Sequence, residues 1–356
     1  MSEQLNPVRV ALLFGGRSGE HEVSVRSMLS VLDAIDRDRF EPVPIGITKQ
    51  GAWLTPRETE TVLEEIRAGR AASVELASGD GLLARPLALE ELASCEIAFP
   101  LVHGTNGEDG TLQGLLELAR MPYVGAGVAA SAVGMDKELM KRLFSQAGLP
   151  VTPYEVVLRS RYHADPEGEL RRIESSVGYP CFTKPANGGS SVGVSRMRSR
   201  EDAEEAFGAS FDYDRKTIVE TAVEGREIEC SVLGNDDPQA SPLGEIIPSR
   251  DFYDYAAKYT DDSTRLVYPV DLGPLTDRVR ELAVRAYRAL DCAGFARVDF
   301  FVLANGEVLI NEINTIPGFT SVSMYPKLWE AGGLAYSDLI TRLIELGFER
   351  AREIYR

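Results

Sequence analysis

Over the first hundred residues, short apolar, β-branched runs alternate with stretches of helical period, the pattern of parallel strands joined by crossover helices. Residues 8–14, 40–47 and 97–101 read as the clearest strands. A helix is predicted over 23–34 between the first two and another over 110–119 after the third, and residues 121–125 have the composition of a further short strand. From Asp136 the pattern changes: a helix running to Gln146 stops at Gly148, with Pro150 beyond. Extended segments are then predicted over 151–158, 181–185 and 193–197, separated by helices near 167–176 and 200–211. The last third carries strand patterns at 217–220, 228–233, 296–302 and 307–313, a long helix over 275–290 and a terminal one over 336–349. Between Ile247 and Tyr268 lies a polar, aromatic stretch with little periodicity, too long for an ordinary connection and therefore expected to be a functional loop.

These changes of pattern divide the 356 residues into a parallel α/β unit over 1–125, a small α+β unit over 126–215 and a C-terminal unit over 216–356. A composition of 44% hydrophobic and 26% charged residues excludes a disordered or fibrous chain. No run approaches the roughly twenty apolar residues of a membrane helix. The N-terminus lacks a basic segment and a small-residue cleavage site, so a cytoplasmic protein with no membrane partner is expected. Cys95, Cys181, Cys230 and Cys292 are scattered singly, with no metal-ligand spacing, and read as buried reduced thiols. A net charge of −17 argues against nucleic acid as a partner and requires any polyanion to be held by a few placed cations or a metal.

Lys184-Pro-Ala-Asn-Gly-Gly-Ser-Ser-Val-Gly193 puts a lysine at a strand end before a loop of small residues. Its glycines allow several backbone N–H groups to approach phosphate oxygens, although the same loop would serve as a plain hairpin connection. It is not a Walker A loop, because Val194 and Ser195 stand where lysine and a hydroxyl would be required. Arg297-Val-Asp299 and Glu312-Ile-Asn314 each place two polar side chains on one face of a strand. Asp299, Glu312 and Asn314 are hard oxygen donors suited to Mg²⁺. A polar hairpin around Asn305-Gly306 is the alternative, but the flanking apolar residues make an unligated acidic cluster costly. Pro317-Gly318 follows, offering a backbone N–H beside Arg297 that would suit an acyl-transfer oxyanion, although Pro-Gly by itself is only a turn signal. Near the N-terminus, Gly15-Gly-Arg-Ser-Gly-Glu20-His-Glu22 follows a strand and opens a helix, with Ser18 as the expected N-cap and the acids suited to a first helical turn. The third strand ends in His103-Gly-Thr-Asn-Gly-Glu108, so two polar turns from one sheet can line a single pocket for a small charged substrate.

Taken in order, GGRSGEHEVS, HGTNGEDGTLQG, MDK, KPANGGSSVG, FYDYAAKY, RVDFF and NEINTIPGFTS resemble the D-alanine:D-alanine ligase family across almost the whole chain. The resemblance implies an ATP-grasp fold with an N-terminal parallel α/β substrate domain, mixed α/β and α+β in class. It implies an enzyme that joins two D-alanine molecules, with ATP and two Mg²⁺ ions (Mn²⁺ as substitute), and a homodimer. By the same resemblance Lys137, Lys184 and Lys258 hold the ATP phosphates, with Ser191 closing over them. Glu220 and the Val223 backbone contact adenine, Glu227 the ribose, and Phe252 and Asn311 complete the nucleotide site. Asp299, Glu312 and Asn314 ligate the metals. Glu20 receives the first ammonium and links to Ser190 and Tyr259; His103 and Ser323 contact substrate, with Ser323 on the second carboxylate; Arg297 and the Gly318 amide form the oxyanion site. Residues 250–268 are the covering loop the resemblance implies. Thr221 stands where some members carry lysine, leaving one base contact open. A ligase with another acceptor, a nucleotide-binding module without turnover and a dinucleotide-dependent oxidoreductase are the competing readings; Tyr259, the joint presence of Arg297, Asp299, Glu312 and Asn314, and the missing GxGxxG count against them in turn.

Overall fold

A computed structural model describes residues 6–75, 86–247 and 265–355. The first strand, β1 (Val8–Gly15), is buried from Val10 to Gly15 and so takes the centre of a three-stranded parallel sheet. Its neighbours are β2 (Phe40–Ile47) and β3 (Ile97–Pro100), in the order β2-β1-β3. Val25, Met28 and Val31 of the helix His21–Ala34 cover one face together with Leu339, Ile340, Leu343 and Ile344 of the C-terminal helix Tyr336–Ile354. Leu92, Leu112 and Leu116 cover the other.

A second sheet is built from β4 (Tyr154–Leu158), β5 (Cys181–Pro185), β6 (Ser195–Met197) and β7 (Lys216–Thr221), antiparallel in the order β4-β7-β5-β6. Helices Pro166–Ser176 and Ala203–Phe211 close its core through Leu170, Ile173 and Phe207. The third sheet contains β8 (Arg226–Leu233), β9 (Gln239–Ile247), β10 (Arg265–Val270), β11 (Phe295–Val302) and β12 (Val308–Asn314), in the order β10-β9-β8-β11-β12. Helix Leu275–Ala289 packs on it with helices Val128–Met135 and Lys137–Gln146, through Leu282, Tyr287, Ala130, Met140 and Phe144.

Sheet pairing and helix packing run across the expected units 126–215 and 216–356. β7 completes the small sheet by pairing with both β4 and β5. The two helices before β4 bury their apolar faces on the large sheet, and the terminal helix returns to the first. Residues 121–125 form no strand; Tyr123 makes one isolated bridge to Ala98. The irregular stretch expected between Ile247 and Tyr268 ends inside β10, and residues 248–264 lie outside the described residues. Strand β9 and the helices Pro56–Arg67, Pro86–Ala93, Val128–Met135, Arg159–Ala164 and Met324–Ala331 were not among the expected elements. The helix Pro56–Arg67 had a legible start: Thr55 and Glu58 form a reciprocal capping box with Pro56 at the first helical position.

Candidate active site

The loop after β1 turns at Gly15, where φ is +88° and a Cβ would stand 2.2 Å from the Ile47 carbonyl oxygen. This sharp turn delivers Glu20 to the N-terminus of the helix His21–Ala34 as its actual N-cap residue. Ser18, the expected cap, instead donates to the His103 carbonyl (2.6 Å) and accepts from the Glu20 amide (3.2 Å), tying the two polar turns together. His103 is buried, with Nδ1 2.9 Å from the Ile316 carbonyl and Nε2 2.9 Å from the Ser27 hydroxyl, which also accepts from the Phe319 amide. Burial pushes this imidazole down, but the Glu108 carboxyl beside it and the Glu20 charge outweigh burial and hold it above its ordinary value. Burial also raises Glu108. Glu20, His103 and Glu108 line one cleft of about 430 Å³ that extends to Arg297, Glu312, Asn314, Gly318 and Ser323. Gly318 and Ser323 are brought together: a Cβ on Gly318 would stand 3.2 Å from the Ser323 Oγ, and that hydroxyl bonds Thr320 Oγ1 (2.7 Å) and the Thr320 amide (3.1 Å).

The small-residue loop closes over this cleft from the second sheet. Ser190 and Ser191 adopt positive φ (51° and 57°), left-handed backbone that is uncommon for residues other than glycine. Ser190 donates to a Glu20 carboxylate oxygen, and a Cβ on Gly189 would stand 3.0 Å from the other. Lys137, the first residue of its helix, holds the loop by donating from Nζ to the Gly188 carbonyl (2.6 Å) and from its amide to the Ala186 carbonyl (2.8 Å). Under the loop, a second cavity is lined by Lys137, Lys184, Ser191, Glu227, Asn311 and Glu312.

At the back of that cavity, Lys184 Nζ lies 2.5 Å from one Glu220 oxygen, and Lys141 Nζ lies 2.8 Å from the other. Burial alone would raise the Glu220 carboxyl; the two ammonium groups overcome it and hold the pKa at about 2. Lys184 is held up by Glu220 despite burial, whereas burial wins for Lys141 and pushes it down. Sequence reading missed Lys141. The available signal was its position four residues after Lys137, on the same face of one helix. A separate cluster, Lys216 with Asp136 (2.7 Å) and Glu138 (2.6 Å), was missed for want of any such signal, because β7 lies far along the chain from that helix start.

In the β11–β12 hairpin, Asp299 stands opposite Glu312 and Arg297 opposite Asn314. Arg297 forms a bidentate pair with Asp299 (2.7 and 2.8 Å) and lies 3.2 Å from Glu229, a buried carboxylate that sequence reading did not single out. These carboxylates hold the buried guanidinium well above its ordinary range. Glu312 borders the cleft of Glu20 and Ser323, the cavity under the loop and a small one beside Asp299 and Glu227 alike. Among the described residues no three His, Cys, Asp or Glu side chains gather as a group able to hold a metal ion. Two carboxylates in register with one carboxamide nearby nonetheless fit Mg²⁺, which takes few protein ligands and completes its shell with water and phosphate oxygens. Val223 lies in the β7–β8 connection, and Phe252, Lys258 and Tyr259 lie outside the described residues.

Two family models match the chain: "D-ala D-ala ligase N-terminus" over residues 9–126 and "D-ala D-ala ligase C-terminus" over residues 143–345. The D-alanine–D-alanine ligase of Halothermothrix orenii is 49% identical over 346 residues, 97% of this chain and 99% of that one. D-alanine–D-alanine ligase A of Escherichia coli is 48% identical over 356 residues, 97% of each. Among solved structures, the D-alanine–D-alanine ligase of Coxiella burnetii aligns with a TM-score of 0.81 at 36% identity, covering 99% of this chain and 97% of its own. The VanG D-Ala:D-Ser ligase of Enterococcus faecalis aligns with a TM-score of 0.81 at 35% identity, over 96% and 100%.

Proposed function

The chain belongs to the D-alanine–D-alanine ligase family, and from that premise we propose how its residues divide the work. It is an ATP-grasp enzyme that joins two D-alanines to D-alanyl-D-alanine through an acyl phosphate, a step of peptidoglycan precursor synthesis. The observation that carries the assignment of roles is the position of Glu312, where the cleft that holds Glu20, Arg297 and Ser323 meets the cavity that holds Lys184 and Ser191.

Glu20, oriented by Ser190, takes the ammonium of the first D-alanine and points its carboxylate toward the lysine-lined side. Lys137, Lys184 and Lys258 hold the ATP phosphates, with Ser191 of the small-residue loop, while Glu220, the Val223 backbone, Glu227, Phe252 and Asn311 bind the nucleoside. The D-alanine carboxylate attacks the γ-phosphorus, ADP departs and D-alanyl phosphate forms. Asp299, Glu312 and Asn314 would hold two Mg²⁺ ions, which neutralise phosphate charge when bound. Ser323 anchors the carboxylate of the second D-alanine, and His103 borders the same cleft. The amine of that second molecule, having lost a proton, attacks the acyl carbon, and inorganic phosphate leaves. Arg297 and the Gly318 amide stabilise the oxyanion; a bidentate pair uses two of the five guanidinium N–H groups, so donors remain. Tyr259 is assigned, with Ser190 and Glu20, the exclusion of water from the acyl phosphate. No helix among the described residues is long and apolar enough to cross a membrane. Four buried free thiols support a reducing, cytoplasmic compartment.

Phosphate release from Mg²⁺-ATP is the test, with D-alanine alone and with D-serine or D-lactate added, the product being identified by mass. Release with D-alanine alone and a D-alanyl-D-alanine product supports the roles given; release only with another acceptor overturns the substrate, and no release under any condition overturns turnover itself.

A further inference from the structure

Lys141 is fully buried, an unusual position for an ammonium group. It sits one turn beyond Lys137 on the helix Lys137–Gln146, whose Met140 and Phe144 are anchored in the core of the large sheet. Its Nζ reaches across to Glu220 on β7 of the small sheet and lies 6.0 Å from the centre of the Tyr154 ring. Although 2.8 Å from Glu220 Oε1, the ammonium is not aligned with it as a hydrogen bond. The contact is therefore chiefly one of charge, held by the packing of the helix. Glu220 is thus shared between two lysines, only one of which, Lys184, lines the cavity under the small-residue loop.

We propose that Lys141 is a positioning residue for the nucleotide: by taking up the charge of Glu220, it leaves Lys184 free to act on the phosphates as a net positive charge. The balance is simple. Lys141, Lys184 and Glu220 together carry one positive charge, and without Lys141 the remaining pair is neutral. In a buried site of low effective dielectric, that difference acts directly on a polyanion and hardly at all on an uncharged ligand. The same contact ties the large sheet to the small one, because Lys141 lies on a helix anchored in the core of the large sheet and Glu220 on a strand of the small sheet. The proposal rests on the nucleotide reading of the cavity given above.

The test is calorimetric titration of the intact protein with adenosine, AMP and ADP. In Lys141→Met the dissociation constant for ADP is expected to rise about tenfold or more, that for adenosine by less than about twofold, with AMP between them. Lys141→Arg keeps the charge and should restore the ADP value. Lys141→Met combined with Glu220→Gln removes both charges, leaves Lys184 unbalanced, and should return the ratio of ADP to adenosine affinity toward that of the unaltered protein. A packing role alone would weaken all three ligands equally; that outcome, or unchanged ADP binding in a Lys141→Met protein of unaltered melting temperature, overturns the proposal. If the unaltered protein binds adenosine and ADP not at all, the nucleotide reading falls and the proposal with it, a result distinct from equal weakening.

Discussion

Ser190 donates a hydrogen bond to the Glu20 carboxylate across 170 residues of chain, joining the loop after β5 to the loop after β1. A hydrogen bond to a charged acceptor contributes about 1.5–3 kcal/mol. Ser190→Ala is therefore expected to lower kcat/KM for D-alanine by roughly ten- to a hundredfold. ADP affinity should stay near the unaltered value, because Lys137 and Lys184 remain. Steady-state kinetics with titration of ADP separates the two, and equal losses in both would mean that the serine shapes the whole loop rather than orienting Glu20.

Arg297 lies buried between Asp299 and Glu229. Replacing it with alanine leaves two buried carboxylates without their shared cation, a change that destabilises by about 3–5 kcal/mol. Urea denaturation of Arg297→Ala at neutral pH should show that loss, with Arg297→Lys intermediate, since lysine keeps the charge but not the two-pronged geometry. A loss below about 1 kcal/mol would show that solvent or rearrangement compensates the pair.

Asp299→Asn and Glu312→Gln should each reduce Mg²⁺-dependent phosphate release by about a hundredfold or more while circular dichroism stays unchanged, because a carboxamide is a poor substitute for a charged oxygen ligand. Activity close to that of the unaltered protein in both variants would remove these residues from the metal site.

His21 is buried at the start of its helix, with Nδ1 donating to the Gly16 carbonyl (2.7 Å) and Nε2 accepting from the Val74 amide (2.9 Å). That pairing requires the neutral ring, and burial, the largest cause, lowers its pKa. Because the unfolded chain takes up the proton first, the stability this residue contributes is full above the ordinary histidine pKa and is lost as pH falls toward the folded value. The slope is at most about 1.4 kcal/mol per pH unit. The stability gap between the unaltered protein and His21→Asn, measured by urea melts from pH 8 to pH 5, should shrink on the acid side; a gap independent of pH would contradict the neutral pairing.

All four cysteines are buried as free thiols, and burial raises Cys95 and Cys181 to about 11 and Cys230 to about 12. The folded protein should react with a thiol reagent at neutral pH only as fast as it unfolds. Rapid labelling of the native state would show an opening that exposes one of them.

What the sequence determined was whatever its local order carries. The alternation of β1 to β3, the helix stop at Gly148, the loop Lys184–Gly193 and the paired carboxylates of Asp299 and Glu312 are all readable from spacing, because strand period and turn chemistry act over a few residues. Glu20, His103 and Glu312 were identifiable as candidates for the same reason, whereas Lys137 was reached only through the family resemblance. What only the tertiary structure decided was which cores and which charges meet. Helices Val128–Met135 and Lys137–Gln146 precede the small sheet in sequence but bury their apolar faces on the large one, and β7 joins the small sheet, because the area buried settles such choices and chain proximity does not. Lys141 and Lys216 look like ordinary helix and strand lysines until pairing of β7 brings Glu220 to the first and the helix start brings Asp136 to the second. Charge pairing between distant segments follows from packing and register, and neither is written in the spacing of residues along one segment.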